Sequence, residues 1–206
     1  MRILASLFLL SSVTLNADSI NMDDPRRAVG REDDIRIDAK LARETVAPGA
    51  AVGVVYQIHN LTATAVAVAD KVASASYDSD TRTIEFSIGS EVPEEMMPHV
   101  TIVAPGETKL LRASAVPSLN AAARGASLGG TPRYVQVKVS ILRDLAPFRA
   151  LIDQQAKGPQ PLSDALFDQW FESNDTILLN ALPVQFNGIT RDREFSAENR
   201  SSRGTF

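Results

Sequence analysis

The chain has 206 residues, with 21 Lys and Arg against 25 Asp and Glu, a formal net charge of −4 at pH 7 and no Cys. The charges are scattered, which excludes the basic stripe that attracts nucleic acid or an anionic membrane through phosphate contacts. Without Cys there are no disulfides and no thiolate metal ligands. We therefore expect a protein that depends on a hydrophobic core, carries no cofactor and binds no nucleic acid.

Residues 1–17 have the pattern of a secretory signal peptide. Arg2 precedes an apolar run from Ile3 to about Leu15, and Ala17 is a small residue suited to cleavage by signal peptidase. The apolar run is shorter than the roughly 20 residues that a membrane-spanning helix needs. We expect a protein without a transmembrane segment after cleavage, located in the periplasm of a bacterium or secreted from it.

Two segments at the ends of the mature chain are charged and poor in apolar residues. They are residues 18–34 and residues 187–206. Such composition does not compensate for the entropy lost on ordering. The sequence therefore predicts a flexible leader, a flexible tail and a single domain over residues 35–186.

Alternation of apolar and polar residues with a period of two predicts the strands of this domain. The predicted strands are 35–41, 52–59, 66–68, 84–88, 99–103, 107–115, 135–141 and 176–186. Pro-Gly turns lie at Ala47-Pro48-Gly49 and at Ala104-Pro105-Gly106, and the second is predicted to join strands 99–103 and 107–115 as a hairpin. Many short strands with frequent turns favour an antiparallel β-sandwich.

One part of the chain resembles a known style of domain. The segment V-A-P-G-A-A-V-G-V-V-Y-Q-I-H-N-L-T at residues 46–62, with V-A-P-G-E-T at residues 103–108, is similar to bacterial exported immunoglobulin-like β-sandwich modules. In these modules a Pro-Gly turn leads into a strand that ends in Asn and Thr. The resemblance covers about residues 33–115, implies an immunoglobulin-like fold and carries over no functional residue. Pilus-assembly chaperones share this style but have two such domains, and the second half of this chain does not supply another.

A short helical insertion is predicted at about residues 145–174, before the last strand. Its second half contains S-D-A-L-F-D-Q-W-F-E-S-N-D, with the one Trp of the chain. On a helix, the apolar residues fall on one half of the circumference; they are Leu162, Leu166, Phe167, Trp170 and Phe171. Asp164, Asp168 and Glu172 form a row on the other half. We interpret the helix as a brace docked on the sheet, with Ser163 as its N-cap and the acidic row as a candidate surface for a basic partner.

Other patterns are better explained by structure than by chemistry. The G-x-S-x-G match at residues 125–129 leads into a strand, whereas a catalytic serine on this motif needs a helix after it, so a loop is predicted. His59 falls on the polar face of its strand and is predicted to be solvated, and His99 lies at a strand entrance. Asp78 and Asp80 are predicted to cap their own turn rather than bind calcium.

The sequence leaves three functions open. The first is a non-catalytic exported sandwich that binds or scaffolds another protein of the cell envelope or the extracellular space. The second is a carboxylate-dependent hydrolase that uses Asp164 or Asp168 with residues of the 118–132 loop. The third is a protease-inhibitor-like or ligand-carrying sandwich that uses an exposed loop such as residues 89–98, where Met96 and Met97 are candidate adaptable contacts. The sequence favours the first function.

Overall fold

A computed structural model of the protein describes residues 19–89, 96–119, 131–158 and 160–187. The predicted signal peptide, the G-x-S-x-G segment and the predicted tail beyond Asn187 lie outside the described residues.

The described residues form a mostly β structure with several sheets and two short helices. The strands are β1 (Ala28–Glu32), β2 (Ile35–Leu41), β3 (Thr45–Val46), β4 (Val52–Asn60), β5 (Val66–Ala69), β6 (Val72–Asp78), β7 (Thr83–Ile88), β8 (Met96–Met97), β9 (Val100–Val103), β10 (Thr108–Ala115), β11 (Ser118–Leu119), β12 (Tyr134–Leu142), β13 (Gln160–Pro161), β14 (Asn174–Leu178), β15 (Leu182–Pro183) and β16 (Gln185–Phe186). The helices are α1 (Arg149–Gln154), followed by a 3-10 turn at Gln155–Lys157, and α2 (Asp164–Ser173).

Most of the strands belong to two sheets. The smaller sheet has the strand order β1-β2-β4-β10 and is antiparallel throughout. The larger sheet has the order β11-β6-β7-β12-β5-β9, and β14 and β15 also pair with β12. Two short pairs, β8 with β13 and β3 with β16, lie outside these sheets.

Side chains from both sheets share one core. Ile37 and Tyr56 from the smaller sheet and Phe86 and Val137 from the larger sheet are fully buried in the same cluster. Successive side chains on a strand point to opposite sides, so the intervening residues face outward. The two sheets therefore pack against each other and leave the outer face of the smaller sheet to polar side chains.

The helical insertion is confirmed, and it packs on a second cluster of apolar side chains. This cluster consists of Ala67, Met97, Val100, Leu142, Phe148, Leu162 and Trp170. The rings of Phe148 and Trp170 meet edge to face, with centroids 5.5 Å apart and planes at 88°, a favourable arrangement for aromatic pairs. Helix α2 is thus docked through Trp170, as a brace requires.

Seven of the eight predicted strands are present, but the predicted hairpin between strands 99–103 and 107–115 is wrong. Strand β9 pairs with β5 in the larger sheet, whereas β10 pairs with β4 in the smaller sheet. The turn between them carries the chain from one sheet to the other. Asn60 holds this turn, since its backbone N–H donates to Glu107 and its carbonyl accepts from Gly106. Turn chemistry alone does not distinguish a hairpin from such a crossing.

The sequence predicted an antiparallel sandwich, but the larger sheet is not wholly antiparallel. Strands β7 and β12 are parallel along residues 134–139 of β12. Between them the chain crosses to the smaller sheet and forms β10 before it returns, so it enters β12 in the direction of β7. A parallel pair needs such a long connection.

The prediction of a flexible leader over residues 18–34 is wrong for the part that forms strand β1. Ala28–Glu32 pairs along β2, and Ala28 is fully buried. Even Ile20, ahead of the strand, is only 2% exposed. The few apolar residues of this segment are enough to order it because they pack against the rest of the domain.

The last predicted strand, residues 176–186, is divided into β14, β15 and β16. The chain leaves the ladder near Asn180, whose backbone N–H donates to Val29 in β1. Pro183 follows, and a proline has no N–H for a ladder hydrogen bond. The apolar run of residues 176–186 therefore pairs first with β12, through β14 and β15, and then with β3, through β16.

Candidate binding site

Polar side chains cross the outer face of the smaller sheet in rows. The strand register places Asp38 opposite Gln57, and it places Lys40 and Arg112 on either side of Val55. Residues two apart on a strand share a face, so these two rows are neighbours. The first row lies in a buried polar network, and the second forms the floor of an open cleft.

Asp38 is the centre of the buried network and has no exposed surface. Arg36 Nη2 donates a hydrogen bond of 3.0 Å to Asp38 Oδ1. The Nε atoms of Arg36 and Arg27 lie 3.0 and 3.2 Å from the carboxylate, but they are not aligned as hydrogen bonds and act through charge. Two guanidinium groups thus compensate a carboxylate that would otherwise be costly to bury.

His59 belongs to the same network, so the prediction of a solvated histidine is wrong. Its side chain is 21% exposed, and its Nε2 lies 3.3 Å from Asp38 Oδ2. Gln57 Nε2 is 3.1 Å from the same ring nitrogen, and Thr108 Oγ1 is 3.1 Å from Nδ1. Strand alternation placed His59 correctly on the outer face, but this part of the outer face is covered.

Residues 19–27, which we call the strap, provide that cover. The backbone N–H of Ile20 donates to Gln57 Oε1 at 2.9 Å. At the other end of the strap, Arg27 reaches Asp38. The strap is therefore fastened over the Asp38 row at both ends, and the cleft begins beside it.

The cleft has a volume of about 470 Å³. Its floor is the row of Lys40, Val55 and Arg112, and the strap contributes Asp24 and Arg26 to one wall. Residues 183–185, near the end of the described chain, line the cleft as well. The site thus combines parts of the chain that are distant in sequence, namely the strap, strands β2, β4 and β10, and residues 183–185.

Within the cleft, Arg26 is already paired with acidic side chains. It contacts Asp24 at 3.3 Å and also forms an ion pair with Glu44. The backbone N–H of Arg26 and its guanidinium hold the pKa of Asp24 below its ordinary value, and the charge of Lys40 acts in the same direction. The hydrogen bond with Asp24 in turn raises the pKa of Arg26. The ammonium group of Lys40 has no hydrogen bond or ion pair with any residue that the structure describes.

A row of small residues lies next to the cationic row. Ser114 is opposite Gly53, and Ala42 donates its backbone N–H to Gly53 on the other side. A depression of about 220 Å³ lies along this row and shares Ala42, Val55 and Arg112 with the cleft. We call the cleft and the depression together the outer groove. A Cβ on Gly53 would lie 3.1 Å from the Ala42 Cβ, so a side chain here would crowd the floor.

A second polar cluster joins β5 to β9 on the larger sheet. His99 Nδ1 lies 2.6 Å from Asp70 Oδ1, and Thr101 Oγ1 donates to Asp70 Oδ2 at 2.6 Å. The Thr101 hydroxyl is therefore already engaged by the carboxylate. We assign this cluster a structural role, because its contacts fasten two neighbouring strands and, among the described residues, the His99 side chain contacts only Asp70.

The predicted acidic row is exposed on α2, at Asp164, Asp168 and Glu172. The structure does not bring these residues together with the outer groove residues. The expectation that Phe171 is buried is wrong, since this side chain is 79% exposed. It lies one residue beyond Trp170 at the margin of the apolar stripe, in the last turn before the chain enters β14.

Met96 and Met97 are not on an exposed loop, as the sequence had indicated. They form strand β8, which pairs with Gln160 and Pro161. Met97 is 5% exposed and lies in the second apolar cluster, whereas Met96 is half-buried. Met97 is therefore committed to packing under the insertion rather than available to a ligand.

The turn after β6 behaves as predicted. Asp78 Oδ1 accepts the backbone N–H of Asp80 at 2.9 Å, and its Oδ2 accepts the Thr81 hydroxyl at 2.7 Å. The Thr81 hydrogen bond is the main cause that lowers the pKa of Asp78. Throughout the described ranges, no three His, Asp or Glu side chains are placed to hold a metal ion.

The chain matches no protein-family model, no curated protein and no solved structure. In the part of the chain that the structure covers, no helix is long and apolar enough to cross a membrane.

Proposed function

We propose that this protein is a non-catalytic exported β-sandwich that binds or scaffolds another protein of the bacterial cell envelope or the extracellular space. Export is supported by the signal-peptide pattern of residues 1–17. The sandwich is supported by two sheets that share one core. Its immunoglobulin-like character is supported by the sequence resemblance over about residues 33–115.

The outer groove is the observation that carries this proposal. Its floor consists of side chains on β2, β4 and β10, three adjacent strands of one sheet. A site built on strands is held more precisely than one built on loops. The groove combines charged side chains of both signs with apolar surface from Leu41, Val55 and Val184. This combination suits a protein surface better than a small apolar ligand.

The structure gives less support to the carboxylate-dependent hydrolase. Asp164 and Asp168 are exposed to solvent on α2. A carboxylate that acts as an acid or base at neutral pH usually depends on burial or a close charged neighbour to adjust its pKa. The loop that was to supply the other catalytic residues is described only at 118–119 and 131–132.

Photo-crosslinking from the groove tests the proposed function. The mature chain, residues 18–206, is prepared with a photo-reactive amino acid at exposed Ser114 and incubated with envelope extract. The crosslinked protein is identified by mass spectrometry, and the pair is reconstituted from purified components. We expect a stoichiometric complex that crosslinks from Ser114 but not from exposed Thr176 on the larger sheet.

Turnover of a small molecule by the purified protein that is abolished by Asp164→Asn or Asp168→Asn, at an unchanged thermal midpoint, would replace binding by catalysis. Crosslinks that form equally from Ser114 and Thr176 would remove the groove from the proposal.

A further inference from the structure

We propose that the strap is a pH-controlled cover of the smaller sheet. It is docked while His59 is neutral and is released when His59 gains a proton. Release removes Asp24 and Arg26 from the wall of the cleft and uncovers the buried row of Asp38 and Gln57. This device is a property of the strap and does not depend on the ligand of the outer groove.

The hydrogen bonds at the N-terminal end of the strap require a neutral imidazole at His59. The backbone N–H of Ile20 can only donate, so the Gln57 amide turns its Oε1 to the strap, at 2.9 Å. Gln57 Nε2 therefore points to the imidazole and lies 3.1 Å from His59 Nε2. An amide nitrogen also only donates, so His59 Nε2 accepts. The ring proton is then on Nδ1, which lies 3.1 Å from Thr108 Oγ1.

Protonation of His59 breaks this chain of hydrogen bonds. An imidazolium has N–H groups on both nitrogens, so Gln57 Nε2 would face another donor. Turning the amide over would only place Nε2 against the Ile20 N–H, which again opposes two donors. Asp38 Oδ2 accepts no hydrogen bond from any described residue and lies 3.3 Å from His59 Nε2. The protonated Nε2 therefore donates to Asp38, and the Gln57 anchor of the strap is weakened.

The charges at the other end of the strap act in the same direction. Among the described side chains that contact His59, Asp38 is the only carboxylate, and Arg27 and Arg36 already face it. Protonation of His59 brings a third positive charge to this buried group. Arg36 and His59 belong to strands of the sheet, whereas Arg27 ends the strap. Arg27 is therefore the cation that moves into water, and both ends of the strap loosen together.

Other charged groups surround the network on β2, on the strap and on β10. They are Lys40, Asp23, Glu44, Arg112 and the pairs Asp24–Arg26, Arg31–Asp34 and Glu107–Lys109. Carboxyl side chains ordinarily ionise near pH 4, and Lys and Arg lose their proton above about pH 10. Histidine is the side chain that ordinarily changes its charge between about pH 5 and 8. A response of the strap over this range is therefore assigned to His59.

The strap can leave the sheet without unfolding it. Its other backbone hydrogen bonds are internal, from Asp24 to Asn21 and from Arg27 to Asp24. The ion pair of Arg26 with Glu44 joins two exposed side chains, and such pairs contribute little. The side chain of Ile20 is only 2% exposed, so its burial favours docking at every pH. We therefore expect a graded release as the pH falls.

Hydrogen exchange of the mature chain, residues 18–206, tests the inference. Protection of the strap amides is measured by mass spectrometry at about pH 7.5 and about pH 5, the range in which histidine titrates, and corrected for the pH dependence of chemical exchange. We expect protection to fall at least about 10-fold, since one proton changes an equilibrium by up to about 10-fold per pH unit. Strand β12 is the internal reference and is expected to keep its protection. Equal or greater protection of the strap at the lower pH would overturn the inference.

The two histidines of the chain provide a matched pair of variants. His59→Gln is expected to abolish the pH response of the strap, because an amide gains no proton in this range. His99→Gln is the control, since His99 pairs with Asp70 on the larger sheet, and it is expected to respond as the wild type does. A response that persists in His59→Gln, or that is lost in His99→Gln, would assign the effect to other groups.

Reciprocity gives a test that does not require a substitution at His59. If protonation opposes docking, a loosened strap must let His59 bind its proton more tightly. Ile20→Ser removes the buried side chain that docks the strap, and the two imidazoles are titrated by nuclear magnetic resonance. His59 is expected to bind its proton about 3- to 10-fold more tightly in Ile20→Ser than in the wild type, and His99 equally in both. An unchanged or weaker proton affinity of His59 in this variant would overturn the inference.

Discussion

At the scale of single residues, Asn60 shows how a polar side chain specifies the fold. It is fully buried at the end of β4. Its Nδ2 donates to the carbonyls of Thr64 and Val103, each at 2.9 Å. Its Oδ1 accepts from the backbone N–H and hydroxyl of Thr62, at 3.0 and 2.7 Å. One side chain thus fixes the loop after β4 and the crossing from β9 to β10.

Asn60→Ala is expected to lower the free energy of unfolding by about 2 to 4 kcal/mol, because several buried backbone groups lose their partner. Urea denaturation followed by circular dichroism measures the change. Asn180→Ala removes an exposed amide side chain and is expected to change stability by less than about 0.5 kcal/mol. Equal effects of the two substitutions would show that Asn60 does not hold the crossing.

The buried hydroxyl of Tyr56 leads to a second prediction, about the stability of the protein at alkaline pH. Its hydroxyl is buried and donates to the Ala69 carbonyl at 2.9 Å. Burial raises the pKa of Tyr56 far above its ordinary value, and the charge of Asp70 adds to this effect. The folded state therefore keeps a proton that the unfolded state loses above pH about 10.

The stabilising effect of this proton is fully present below pH 10 and is lost as the pH rises further. The free energy of unfolding is expected to fall by up to about 1.4 kcal/mol per pH unit above 10 from this group. Urea denaturation from pH 8 to 11.5 measures the slope. Tyr56→Phe starts from a lower stability, having lost one hydrogen bond, but is expected to have a shallower slope. A slope identical to that of the wild type would assign the pH effect to other groups.

At the scale of elements, strands with one clearly apolar and one clearly polar face were predictable, and others were not. Alternation of apolar and polar residues located β4 and β12, because Val, Ile and Tyr recur at every second position and these positions are buried. Strand β6 was missed because its sequence, V-A-S-A-S-Y-D, has small residues on both faces and little contrast. Strand β1 was missed because its composition resembles that of a disordered segment. Local pattern identifies a strand only where that strand is itself strongly amphipathic.

Helix α2 was predictable in position, and its docking face was predicted in part. Ser163 occupies the N-cap position, although its side chain makes no capping hydrogen bond. Leu162 is buried and Phe167 packs against the same cluster, at the spacing of a hydrophobic staple. The prediction for Phe171 was wrong because the spacing of apolar residues shows which side of the helix is apolar, but not where the surface on which the helix packs comes to an end.

Two aromatic substitutions on α2 therefore have unequal effects. Trp170→Ala removes a ring that is 5% exposed and is expected to lower the free energy of unfolding by about 3 to 5 kcal/mol. Phe171→Ala removes a ring that is 79% exposed and is expected to change it by less than about 0.5 kcal/mol. Chemical denaturation of both variants makes the comparison. A larger loss for Phe171→Ala would mean that the insertion docks on another face.

At the scale of the whole molecule, the two sheets meet where β1 approaches β14. Gly30 marks the contact, because a Cβ there would lie 2.7 Å from Ile177 Cγ2 and 2.9 Å from the Leu178 carbonyl oxygen. Asn180 adds a backbone hydrogen bond to Val29 beside it. The N-terminal strand thus fastens the smaller sheet to the strand that follows the helical insertion.

Gly30→Ala is expected to lower the free energy of unfolding by about 1 to 3 kcal/mol, since the added methyl group must displace the backbone of β14. Thermal denaturation measures it. Gly53→Ala is the matched control in a strand of the same sheet, where the nearest atom is the Ala42 Cβ at 3.1 Å. A smaller loss for Gly30→Ala than for Gly53→Ala would contradict a tight contact between the sheets.

The sequence by itself determined the strand-rich class, the position of most strands and the helical insertion, because each depends on the spacing of apolar residues along a short stretch. It did not determine which strands pair, that β7 and β12 are parallel, or that the strap covers the Asp38 row. The outer groove was also beyond it, since Lys40 and Arg112 become neighbours only through the register of β2 and β10 with β4. Pairing and register are contacts between distant parts of the chain, and local periodicity carries information about the face of a strand but not about its neighbour.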